Sequence, residues 1–155
     1  MKLGKRILLV VIVLIMVIQF IPAGLPKVNI ETKNDIITNN VVNPEIAIVL
    51  KTSCYDCHSN QTHYPWYAHL SPISWLLASD VEEGRDKLNF SEWNKYDKRR
   101  KIRKLGDIKE QVEKSEMPLG NYTLIHQKAK LNQTQKDLII KWSDELSNKE
   151  VTSKK

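Results

Sequence analysis

The chain has 155 residues, 41% of them hydrophobic and 27% charged, a size that fits one ordinary domain and excludes a large multidomain enzyme. Its two cysteines, Cys54 and Cys57, are too few for a disulfide-rich scaffold or a four-cysteine zinc or iron–sulfur site, and five glycines with six prolines exclude collagen-like and low-complexity chains. The formal charge is +6, but Lys2, Lys5 and Arg6 precede the first apolar run and leave 21 basic against 18 acidic residues beyond it, so basicity identifies no partner.

From Ile7 to Ile21 the chain is apolar except for Gln19, with three positive charges just before it. As a helix such a run spans about 22 Å, short of the roughly 30 Å hydrocarbon core unless the flanking lysines snorkel and the bilayer thins. Residues 1–23 read as an N-terminal membrane anchor or signal segment. An uncleaved anchor is preferred, because Pro22 and the bulky Ile21 spoil the small-residue cleavage pattern at Ala23 and Gly24. The positive-inside rule then predicts a single-pass protein of the cell membrane with everything after Pro22 on the periplasmic, extracytoplasmic side.

Residues 24–42 are polar and without sustained period, and read as a flexible tether. Asn43 and Pro44 give a helix start, with Ile46, Val49 and Leu50 recurring at helical spacing toward Cys54. Ser71 and Pro72 repeat that signal before Ile73, Leu76, Leu77 and Val81, with Gly84 as the stop. Ser91 is the cap of a third helix through Trp93 and the basic run to Lys104, and Asp107 to Lys114 form a short fourth. Asn132 precedes a last helix with an apolar stripe of Leu138, Ile139, Trp142 and Leu146. No alternating strand pattern appears. The expectation is an all-α domain over 43–147, four or five short helices behind an N-terminal membrane helix, with a polar tail at 148–155.

The chemistry sits in Cys54-Tyr55-Asp56-Cys57-His58, a C-x-x-C-H sequence at the end of the first domain helix. Positions i, i+3 and i+4 share one helix face, so both sulfurs and the imidazole can address one object. A covalently bound haem c, one per chain, satisfies that geometry: the two thiols add to its vinyl groups and His58 ligates the iron. Three rivals use the same atoms. A thioredoxin-like redox pair lacks its βαβ context. A zinc site built from Cys54, Cys57, His58 and His63 crowds its ligands. A Cys54–Cys57 disulfide closes too short a loop to stabilise much.

For the sixth iron ligand, Met1 and Met16 lie in the amino-terminal segment, leaving Met117 for the folded domain. Pro118 biases Met117 toward an extended loop that presents its side chain, and a thioether opposite His58 favours the ferrous state of an electron carrier. His63, His69 and His126 compete for the position, and core filling by Met117 is the bland alternative.

These residues, with Tyr64-Pro65-Trp66-Tyr67, Ser74-Trp75-Leu76, Glu83-Gly84-Arg85, Leu88-Asn89-Phe90-Ser91-Glu92-Trp93 and Glu116-Met117-Pro118-Leu119, resemble the small haem-binding domain family related to class I c-type cytochromes. The resemblance covers about residues 43–146. It implies a cytochrome c-like bundle in which amino- and carboxy-terminal helices cross beside the haem, with His58 and Met117 as iron ligands.

Tyr64, Trp66, Tyr67 and Trp75 follow the motif closely and are expected as apolar walls of the cofactor site, and Pro65 or Pro72 as the carbonyl that orients His58. Lys98 to Lys104 carries six positive charges in seven residues. The predicted compartment argues against nucleic acid, leaving a solvated helix face or a docking surface for an acidic redox partner or anionic lipid. The function expected is a membrane-tethered monohaem cytochrome transferring single electrons, not an enzyme. A peroxidase-like haem enzyme or sensor with an open or labile sixth ligand, and a zinc-binding module, are the alternatives.

Overall fold

The computed structural model describes residues 2–31, 33–39 and 42–153; Met1, Thr32, Asn40, Val41, Lys154 and Lys155, which fall in the expected anchor, tether and tail, lie outside the described residues. Among the described residues the fold is all-helical and contains no strand. The helices are α1 (Lys2–Ile18), α2 (Ile36–Asn39), α3 (Pro44–Ser53), α4 (Tyr55–His58), α5 (Ile73–Lys87), α6 (Lys98–Glu113), α7 (Gly120–Ile125) and α8 (Gln133–Thr152).

The scaffold is built by α3, α6 and α8. Asn43 caps α3 by accepting from the Glu45 amide at 2.9 Å, and Pro44 fills the first position, where no amide partner is needed. Ile46, Val49 and Leu50 turn inward from α3, and Leu105, Ile108 and Val112 form the matching stripe on α6. α6 packs along α8, whose Ile139 and Trp142 complete the core with Phe90 and Trp93. α8 starts with a capping box between Asn132 and Gln135.

Several expected boundaries move. Asp97 accepts from the Arg100 amide at 2.8 Å and starts α6 there, so the expected third and fourth helices are one helix, preceded by a 3-10 turn at Phe90–Lys95. The tether is not flexible throughout 24–42. Ile36 is fully buried, and Asp35 accepts from the Tyr55 hydroxyl at 3.1 and 3.2 Å, from Gln61 at 3.2 Å and from the Ile37 amide at 2.9 Å. One buried carboxylate thus fastens 35–39 to the domain. The expected polar tail is helical to Thr152, because Lys98 donates to the Val151 and Ser153 carbonyls and closes the end of α8.

α1 has 17 residues, and among the described residues no helix is long and apolar enough to cross a membrane. The expected membrane helix is therefore unsupported at that length. Gln19 joins this segment to the domain, donating to the Ser71 carbonyl and accepting from the Ser71 amide, both at 3.0 Å.

Candidate functional site

Cys54 sits at the joint between α3 and α4, where its carbonyl accepts from the Cys57 and His58 amides at 3.3 and 2.9 Å. The C-x-x-C-H segment is therefore one helical turn, and Cys54, Cys57 and His58 all line the same cavity. Tyr55 points the other way. Its ring stacks on Phe90 at 5.3 Å and its hydroxyl reaches Asp35.

Helix α5 crosses α4 at Gly84. A Cβ there would lie 2.7 Å from the Cys57 carbonyl oxygen, so only glycine permits the approach. Gly84 is thus a contact point in the last turn of α5, which runs on to Lys87, rather than the expected stop. The closeness brings the Gly84 and Leu88 carbonyls to 2.8 and 3.1 Å from His58 Nδ1. Carbonyls only accept, so Nδ1 carries the proton and Nε2 keeps its lone pair for a metal. These are the orienting carbonyls, not those of Pro65 or Pro72. Burial lowers the His58 pKa, which keeps the imidazole neutral.

Met117 arrives from the end of α6. Ser115 adopts a left-handed conformation, φ 59°, and the Glu116 and Met117 amides both return to the Gln111 carbonyl, at 2.9 and 3.2 Å. This reversal leads the chain back across α6, and Met117, Pro118 and Leu119 line the cavity that His58 lines. The rival histidines do not. His63 is 92% exposed beside Asp56, His69 is exposed, and His126 is hydrogen-bonded to the Tyr67 hydroxyl and stacked on Tyr122.

The cavity encloses about 460 Å³, within the ordinary range for a small-molecule site. Its apolar wall comes from Leu88, Phe90, Ile108, Val112, Leu131 and Ile139. The expected aromatic wall does not form: Tyr64, Trp66, Tyr67 and Trp75 lie outside this cavity. Tyr64 donates to the Pro26 carbonyl, Trp66 is 79% exposed, and Trp75 donates toward the Ile21 carbonyl at 3.4 Å. An aromatic run after the motif says nothing about which side of the loop faces inward.

Sequence reasoning missed the polar groups that hold the motif loop. Asp56 accepts from the His63 amide at 3.0 Å and from the Tyr122 hydroxyl at 2.7 Å. Arg85 donates to the Ser59 and Lys27 carbonyls and to the Thr62 hydroxyl, at 2.8 to 2.9 Å, tying the loop to α5. The only signal was adjacency, of Asp56 to the cysteines and of Arg85 to Gly84.

Both cysteines are free thiols. Burial, with Cys57 nearby, pushes the Cys54 thiol up to about 12, and burial, with Asp56 and Asp80, pushes Cys57 up to about 11. A thioredoxin-type pair needs the opposite shift. The zinc reading also lacks geometry, since among the described residues no group of three or more His, Cys, Asp and Glu could hold a metal ion. A free imidazole nitrogen, a thioether and two thiols around one apolar cavity fit a haem.

A family model described as a haem-binding domain matches residues 13–145. The chain belongs to that family. No curated protein and no solved structure matches it. Membership makes haem the ligand of the family's domain, and the cavity beside the C-x-x-C-H turn is the place in this haem-binding domain whose donors suit it.

Proposed function

We propose that this haem-binding domain is a monohaem c-type cytochrome, related to class I, that carries single electrons and is not itself an enzyme. The single observation carrying the reading is that Cys54, Cys57, His58 and Met117 line one apolar cavity while both Nδ1 partners of His58 are carbonyls. Covalent attachment balances without an oxidant: each thiol adds across a vinyl double bond, sulfur to one carbon and hydrogen to the other. When bound, the haem supplies an iron that gains or loses one electron. His58 would hold the iron through Nε2 and Met117 through its sulfur, while the Gly84 and Leu88 carbonyls keep the imidazole in the tautomer that leaves Nε2 unprotonated.

The amino-terminal segment serves in this reading as a single-pass anchor of the cell membrane, with the domain on the periplasmic side. Lys2, Lys5 and Arg6, in the first turns of α1 ahead of its apolar run, support that orientation, and snorkelling or local thinning must make up the length α1 lacks. The partner is a redox protein. Of the basic run, Lys98 caps α8, Lys101 pairs with Glu150 at 3.5 Å, and Arg100 and Lys104 lie over the Tyr96 ring. Contacts with neutral carbonyls and a ring leave the charges in place, so the exposed Lys98, Arg99, Arg100 and Arg103 can all steer an acidic partner.

Met117→Ala tests the reading. The expected result is loss of a low-spin His/Met absorption spectrum with retention of haem and of both thioether links. An unchanged spectrum would remove Met117 from the iron, and a wild-type protein with an open sixth position that binds carbon monoxide would favour a sensor or peroxidase.

A further inference from the structure

The carboxyl end of α5 presents neighbouring carbonyls to two donors from different helices. Gly84 and Leu88 accept from His58 Nδ1, and Lys87 accepts from the Lys104 ammonium. Lys104 comes from α6, lines the same cavity as His58 and is only 4% exposed. Its nitrogen also stands 4.7 Å from the centroid of the Tyr96 ring. Lysine is almost never this buried without a partner, and the Lys87 carbonyl at the carboxyl end of α5 with the Tyr96 face holds the charge here. Lys104 joins none of the ion pairs found among the described residues; the carboxylates that share its cavity are Asp80, Glu83, Asp107 and Glu110, and of these Asp107 acts on it electrostatically.

Two opposing influences therefore meet at His58. The two carbonyls draw on the Nδ1 proton and push electron density toward Nε2, which favours the more positive state of a ligated metal. A buried positive charge nearby favours the less positive state, and burial weakens the screening that would hide it. We propose that Lys104 is a positioning charge for the iron's redox equilibrium, acting beside His58 to tip it from ferric toward ferrous. This rests on the electron-carrier reading above. The change it biases is the gain of one electron by the iron from a one-electron donor, with no bond formed or broken.

Redox titration of the haem-loaded full chain with dye mediators tests it. Lys104→Gln is expected to move the equilibrium about tenfold toward ferric, a potential lower by 59 mV for one electron. Lys104→Arg is expected to stay within about threefold of wild type, and Lys98→Gln, an exposed cation on the same helix, to leave the potential in place. All variants should keep the wild-type ligand spectrum. An unmoved potential in Lys104→Gln, or an equal shift in Lys98→Gln, would overturn the proposal while leaving the cytochrome reading intact. Lys104→Met is the second neutral variant, and loss of haem loading in both neutral variants would overturn the proposal in favour of a purely structural lysine. Failure of the wild-type chain itself to hold a redox-active haem would defeat both readings.

Discussion

At position 84 a methyl group has no space, because a Cβ would meet the Cys57 carbonyl oxygen and carbon at 2.7 and 3.1 Å. Backbone atoms cannot rotate aside as a flexible side chain would, so Gly84→Ala must push α5 off α4. Overpacking of this kind costs about 1–3 kcal/mol. Chemical denaturation should report that loss, together with weaker haem loading as His58 loses its carbonyls. Asp35 makes the second residue-scale case. Removing its carboxylate strands the buried Tyr55 hydroxyl, and Asp35→Ala is expected to cost about 1–3 kcal/mol. In a double-mutant cycle with Tyr55→Phe the two changes should couple by at least about 0.5 kcal/mol, and simple additivity would mean that the hydrogen bond between them contributes nothing. Neither residue's role was legible in the sequence. A glycine inside a helical pattern reads as a stop, and a lone aspartate in an Asn-rich stretch reads as solvent-facing until Tyr55, 20 residues on, is seen to reach it.

The elements that read correctly are those whose signals are local. α3 begins at Asn43 and Pro44, α8 begins at Asn132, and the C-x-x-C-H turn follows from spacing alone. Asn132→Ala removes half of the capping box and is expected to lower stability by about 1 kcal/mol in denaturant unfolding, without changing the haem spectrum. What failed at this scale depended on distant packing. The 3-10 turn at Phe90–Lys95 interrupts a plausible helix because Phe90 and Trp93 both dive into the core. The approach of α5 to His58 spans 26 and 30 residues of sequence, beyond any periodic signal. Elimination singles out Met117 as the methionine of the domain, but the left-handed Ser115 that returns the chain to the cavity has no sequence mark, since glycine is the usual residue there.

For the whole molecule, the cavity is central to stability as well as to chemistry. Its walls are core residues of α6 and α8 as much as of the motif turn, so an unfilled site leaves Ile108, Val112 and Ile139 without contacts on one side. A ligand that binds only the folded state adds stability by mass action. The Cys54→Ser/Cys57→Ser double variant, made without haem, is expected to melt at a lower temperature and less cooperatively than the loaded protein in a calorimetric scan. Equal melting of the two would separate the fold from its ligand.

Intact-mass spectrometry of the full chain, produced alongside a haem-attachment system, tests the central claim most directly. One haem added covalently per chain, lost entirely in the Cys54→Ser/Cys57→Ser variant, is the result the cytochrome account predicts. A chain of unmodified mass with two free thiols, whether colourless or holding haem only loosely, would contradict it.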